Sequence, residues 1–191
     1  MKALDALKSQ CAACQCCDLA HHRHQVVVGR GNPLSDLMLI GEAPGADEDS
    51  QGLPFVGRSG RLLSELLKAA ELDEGEDLYI CNVIKCRPPN NRKPTAEEIR
   101  QCRPWLEEQI ALVNPSLVLL AGATPLQALL GIKSGISKLR GQWHEREGRA
   151  FMPVFHPSYL LRFGSRETGS PRALTLQDLQ EAKRRLSTQG R

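Results

Sequence analysis

Four short apolar runs divide the chain: Leu37–Gly41 (LMLIG), residues 78–84 (LYICNVI), 117–122 (LVLLAG) and 151–155 (FMPVF). Two of them are apolar at nearly every position, the pattern of strands covered on both faces. Between the runs the period changes. Residues 59–70 place leucines at 62, 63, 66 and 67, one face of a helix. Residues 95–113 open with Thr95-x-x-Glu98 just after Pro94, a capping-box signature for a helix start. Residues 174–186 read as a charged helix with an apolar stripe. Strands alternating with helices predict an α/β fold, a three-layer α/β/α sandwich around a central four-stranded, mainly parallel sheet. No repeat, long linker or low-complexity stretch interrupts the pattern. Residues 1–191 are therefore expected to form one domain, with an N-terminal Cys-rich segment attached.

In sheets of this kind, ligands bind beyond the carboxyl ends of the strands. The segments richest in chemistry fall there. After the first run comes Gly41-Glu-Ala-Pro-Gly-Ala-Asp-Glu-Asp49, then Gly52-Leu-Pro-Phe-Val-Gly-Arg-Ser-Gly60. The glycines allow tight turns and close approach of backbone to a ligand. Glu42, Asp47, Glu48 and Asp49 crowd four carboxylates into eight residues, which suits acid–base work, a cation or an exposed acidic turn. The segment matches neither the phosphate-binding G-x-x-x-x-G-K-[ST] loop nor G-x-G-x-x-G, so a nucleotidase has no motif behind it. Phe55 is either a core plug or an aromatic shelf on which a base could stack. Asn82 is a polar residue inside an apolar strand. Its amide can donate and accept at once, as the edge of a pyrimidine requires. His156-Pro-Ser-Tyr-Leu-Leu-Arg162 follows the fourth run. A histidine there could donate to a leaving group, and apolar residues after it could wedge a base stack while a basic one grips phosphate.

Composition adds less. Hydrophobic residues make up 41% and charged residues 25%, ordinary for a globular protein. No apolar run approaches the roughly 20 residues of a membrane helix, and the N-terminus lacks a long apolar stretch of the secretory kind. An intracellular, cytoplasmic protein without membrane contact is expected. The net charge of +3 is unevenly spread: after Leu161 there are seven Lys/Arg, including Arg166 and Arg191, against three acids. Such an end can follow a phosphate backbone or be a solvated helix face.

Seven cysteines (Cys11, Cys14, Cys16, Cys17, Cys81, Cys86 and Cys102) change the picture more. In an intracellular chain this usage points to metal, not disulfides. Four thiolates could hold zinc or an iron–sulfur cluster, and the spacing does not choose. Both Cys11/Cys14 and Cys14/Cys17 have the C-x2-C spacing.

Taken together, the segments resemble the family-4 uracil-DNA glycosylases, enzymes that carry a [4Fe-4S] cluster. The resemblance runs from Cys14 to the last helix. It rests on GEAPGADED with GLPFVGRSG, NVIKCRPP, Cys102, LRGQW around Arg140, and HPSYLLR followed by GSPRALT. It implies excision of uracil from DNA, leaving an abasic site, by a monomer acting on single- or double-stranded DNA; a sliding-clamp contact stays open. By the motif C-x2-C-x-L it implies Cys14, Cys17, Cys86 and Cys102 as cluster ligands, with Cys11, Cys16 and Cys81 extra. It implies that Gly41, Glu42 and Ala43 line the uracil pocket, that Phe55 is the stacking shelf, and that Asn82 reads the uracil edge. Glu48 would exclude a 5-methyl group. Glu42 and His156 would be catalytic, the first favouring a cationic sugar or positioning water, the second stabilising the departing uracil anion. Ser158, Leu160, Leu161 and Arg162 would meet DNA. A neighbouring branch that traps DNA covalently carries GEQPG and an inserted Lys-Arg-Arg-Ile-His motif. The present chain reads GEAPG and has no such insert between residues 86 and 102, which implies turnover.

Overall fold

The computed structural model of the protein describes residues 2–163, 165 and 167–189; Arg166 and Arg191 lie outside the described residues. Four parallel strands form the centre of one sheet: β2 (Leu37–Gly41), β3 (Leu78–Asn82), β4 (Leu117–Ala121) and β6 (Arg149–Val154). Among the described residues the sheet has six strands, not the four expected, in the order β1-β3-β2-β4-β6-β5. The two additional strands are antiparallel edges, β1 (Arg30–Gly31) on β3 and β5 (His144–Arg146) on β6. They escaped the sequence pattern because they are two and three residues long and carry no apolar run.

Every residue of β2, β3 and β4 is buried, as the continuous apolar runs require. Alternate side chains feed two cores. Leu37, Leu39, Leu78, Ile80, Leu117, Leu119 and Met152 pack with Leu62, Leu63, Leu66 and Leu67 of α3 (Arg58–Ala69) and with Leu179 and Ala182 of α8 (Pro171–Gln189). Met38, Ile40, Tyr79, Cys81, Val118 and Leu120 pack on the other face. Their partners are Leu4 and Leu7 of α1 (Lys2–Ala12), Leu106 and Val113 of α4 (Ala96–Val113), and Leu126 of α5 (Ala123–Leu130). The three layers follow directly from this two-residue period.

The helix signals hold with small shifts. Thr95 caps α4: its hydroxyl accepts from the Glu98 amide, and the Glu98 carboxylate accepts from the Thr95 amide at 2.7 Å. α8 is pinned to the loop after α6 (Ile136–Leu139) by the ion pair of Arg140 with the buried Asp178. A Cβ on Gly141 would strike that carboxylate at 2.5 Å, so the LRGQW motif is a docking seat for α8. No helix among the described residues is long and apolar enough to cross a membrane.

Candidate active site

The carboxyl ends of β2, β3 and β6 deliver Gly41, Asn82 and the His156 loop to one edge of the sheet, and Gly41 and Asn82 pair directly in register. There they frame a cleft of about 330 Å³ lined by Glu42, Ala43, Pro44, Gly45, Glu48, Phe55, Asn82, His156, Ser158 and Arg162. Three loops remote in sequence thus converge because their strands are neighbours.

Asn82 forms the floor. It is 2% exposed, and its Oδ1 has no hydrogen-bond partner among the described residues. A buried, unpaired amide oxygen costs about 1–3 kcal/mol, a cost that a ligand donor would remove. A Cβ on Gly41 would meet that oxygen at 2.4 Å and the Phe55 ring at 2.5 Å. Gly41 is therefore glycine because the floor and the shelf close over it.

Phe55 is a core residue and a cleft residue at once, its ring centroid 5.9 Å from that of His156. Its φ is +55°, a costly conformation for a bulky residue. Neighbours hold it there. Gly60 has no room for a side chain, since a Cβ would lie 2.0 Å from the Phe55 carbonyl oxygen. Arg30 of β1 donates from Nε to the Pro54 carbonyl at 2.8 Å. The Glu48 carboxylate accepts from the amides of Gly45, Val56 and Gly57 at 3.1, 3.0 and 2.9 Å. Glu48 is thus a rigid wall of the cleft that also fixes the Phe55 loop.

His156 caps α7 (Pro157–Arg162). The Ser158 amide donates to its Nδ1 at 3.2 Å, and the Ser158 hydroxyl lies 2.8 Å from the same atom. A nitrogen that accepts an N–H carries no proton, so the neutral ring holds its proton on Nε2. Burial pushes the imidazole below its ordinary pKa, against the opposing pull of Glu42 and Glu48. Glu42 accepts a hydrogen bond from the Thr124 hydroxyl at the start of α5.

The segment after the site is divided by burial. Leu160 is 1% exposed and belongs to the core, so it cannot enter DNA. Leu161 is 40% exposed, and Arg162 lines the cleft. Of the two readings of the basic C-terminal segment, its described ion pairs fit the solvated helix face. Arg172 pairs with Glu65, Lys183 with Asp77, Arg184 with Glu181 and Arg185 with Glu145, so their charge is largely matched within the fold. Sequence reasoning missed Asn91, Arg92 and Thr124 as cleft residues; the cationic run Arg87, Arg92, Lys93 was the available signal.

The cysteines gather behind this edge. Cys102 feels the charge of Cys86 and Cys14, and Cys86 that of Cys17 and Cys14. Three of the four sulfurs receive an N–H at 3.3 Å: Trp105 Nε1 on Cys14, Arg23 Nη1 on Cys86 and the Lys85 amide on Cys102. Burial pushes the Cys102 thiol up to about 11. Cys11 is buried beside the same group, whereas Cys16 is exposed. Among the described residues, no set of three His, Cys, Asp or Glu side chains is arranged for a single metal ion.

Comparison with known proteins agrees with this geometry. Residues 28–180 match the family profile described as the uracil DNA glycosylase superfamily. A type-4 uracil-DNA glycosylase of Thermotoga maritima is 43% identical over 191 residues, covering 98% of this chain and 96% of the relative. One from Archaeoglobus fulgidus is 37% identical over 169 residues, with 84% of each chain covered. A type-5 uracil-DNA glycosylase of Thermus thermophilus is 34% identical over 177 residues, covering 83% and 79%. The chain therefore belongs to the uracil DNA glycosylase superfamily, in its type-4 family.

Proposed function

We propose that this protein is a monofunctional uracil-DNA glycosylase of base excision repair, acting as a single domain and as a monomer on uracil in DNA. The observation that carries the reading is the orphaned Oδ1 of Asn82 on the cleft floor. It accepts the N3–H of a uracil, while Nδ2 of the same amide donates to O4. Cytosine has no N3–H and offers a donor in place of O4, so the same amide rejects it. The base leaves its stack at a cost of a few kcal/mol and lies against the Phe55 ring. Leu161 fills the gap in the duplex, and Arg162 holds a phosphate. The Glu48 wall leaves no room for a 5-methyl group.

Catalysis is stabilisation of charge as the N-glycosidic bond stretches. Uracil departs as an anion, and the sugar becomes cationic. The Nε2–H of neutral His156 donates to the anion, with its orientation fixed by Ser158. The Glu42 carboxylate, steadied by Thr124, faces the cationic sugar or the attacking water.

The four-thiol group fits a [4Fe-4S] cluster held by Cys14, Cys17, Cys86 and Cys102. An iron–sulfur cube takes one thiolate per iron, and the N–H donors on three sulfurs suit thiolates. When bound, it supplies a cross-link between the N-terminal segment, the 83–93 loop and α4.

The test is excision on a labelled oligonucleotide with one uracil, followed by alkali, with His156→Ala and Glu42→Ala alongside. Wild-type cleavage with losses of about 10²–10³-fold in His156→Ala supports the reading. A folded, DNA-binding protein that leaves uracil in place refutes it. Absorbance near 400 nm separates the iron cluster from zinc.

A further inference from the structure

Lys85 has the largest side chain among the fully buried residues, at 1% exposed. A lysine is almost never found in such a place without a partner. Its Nζ donates to the Asn82 backbone carbonyl at 2.6 Å. The same ammonium lies beside the Cys81 thiol and acts on Cys11 and Cys102. Its own amide donates to the Cys102 sulfur at 3.3 Å, and its carbonyl accepts from Val27 at 2.8 Å. Cys86 follows it directly in sequence. One residue therefore touches the uracil-reading strand with its side chain and the thiol group with its backbone.

We infer that Lys85 is a positioning residue that ties the uracil-reading Asn82 to the cysteine cluster, so that the thiolates fix where the pocket floor stands. The inference rests on the proposed glycosylase reading and deepens it. The Asn82 side chain has no partner on its Oδ1 among the described residues, so the backbone sets its aim. On one flank that backbone is held by β2, where Val83 and Ile84 donate to the carbonyls of Gly41 and Glu42 at 2.9 and 3.2 Å. On its own carbonyl it is held by Lys85. A cluster on four thiolates would carry net negative charge near the Lys85 side chain, and that attraction would keep the lysine drawn in. The lysine in turn would offset part of the charge that the buried sulfurs bear.

The roles separate in two substitutions. Lys85→Met keeps most of the volume and removes both donor and charge. Lys85→Gln keeps a donor for the Asn82 carbonyl and removes the charge. With holoenzyme, two quantities are measured: kcat and KM on a single-uracil oligonucleotide, and the rate at which an iron chelator bleaches the absorbance near 400 nm. In Lys85→Met, kcat should fall about ten- to a hundredfold, the scale of a slightly misplaced reacting group. KM should change little, because the phosphate contacts lie elsewhere. Iron should leave faster in both variants, and Lys85→Gln should recover part of kcat. Wild-type kcat and wild-type iron release in Lys85→Met would overturn the inference. So would equal kcat losses in the two variants, which mark lost packing. Should Lys85→Met fail to fold, iron release from Lys85→Gln at the wild-type rate would overturn it alone. A wild type that excises no uracil defeats the functional reading instead, and the iron-release arm still judges the lysine's tie to the thiolates.

Discussion

Asn82 and His156 show how single residues in this fold are set before any ligand arrives. Asn82 waits with a buried acceptor unpaired, so its replacement by aspartate should be severe: a carboxylate cannot donate to O4. Excision by Asn82→Asp is expected to fall about a hundredfold, equivalent to about 2.7 kcal/mol, with lost preference for uracil over cytosine. Oligonucleotides carrying either base measure both, and full activity with full selectivity would remove Asn82 from its role. For His156, burial lowers the folded pKa below the ordinary 6.5. Above that value the ring is neutral in both folded and unfolded chains, and pH has no leverage. As pH falls through the ordinary value, the unfolded chain takes the proton first, and stability is lost until the folded pKa is passed. Thermal melts from pH 5 to 7.5 should show a gentler acid-side loss in His156→Gln than in the wild type. Parallel curves would show that the ring is not held neutral.

At the scale of elements, α7 performs two tasks with neighbouring residues. Its N-cap His156 faces the cleft, and its first turn buries Pro157 and Leu160 while leaving Leu161 exposed. A helix of six residues forms here because Pro157 occupies its first position and the His156 Nδ1 accepts the free Ser158 amide. Leu161→Ala should slow excision from duplex more than from single strand, since only the duplex has a stack to hold open. Rates on matched substrates decide it; equal slowing on both would assign Leu161 to packing. The α4 capping box acts at longer range, because Glu98 also holds Arg92 of the cleft wall at 2.9 Å.

Over the whole molecule, charge and cross-linking matter more than net composition. The C-terminal arginines look alike in sequence but differ in the fold. Arg162 stands at the cleft, whereas Arg185 pairs with Glu145 and lies 4.6 Å from the centre of the Trp143 ring. Arg162→Ala should reduce the salt slope of DNA affinity by about 1, and Arg185→Ala should leave it nearly unchanged. Binding titrations at several salt concentrations test this; equal slopes for both variants would return the grip to the tail. The thiol group joins the segment after α1 to the 83–93 loop and α4, so chelation of iron should lower the melting temperature. An iron-free protein that melts as the holoprotein does would deny the cluster its structural part.

The sequence by itself determined the four parallel strands, three of the helices and the register of the motifs at the strand ends. It could do so because both-face burial and helical faces leave periodic marks in the chain. As cleft residues, Glu42 and His156 were legible where apolar runs stop, and Asn82 as a polar residue inside one. Tertiary structure alone decided what depends on distance between segments. It added the edge strands, whose pairing has no apolar signature. It separated Leu160 from Leu161 and matched Arg172, Lys183 and Arg185 to remote acids. It also brought Arg30 under the Phe55 loop, Thr124 to Glu42, and Lys85 between the pocket floor and the thiols. Those contacts join residues up to 82 positions apart, and no local pattern encodes them.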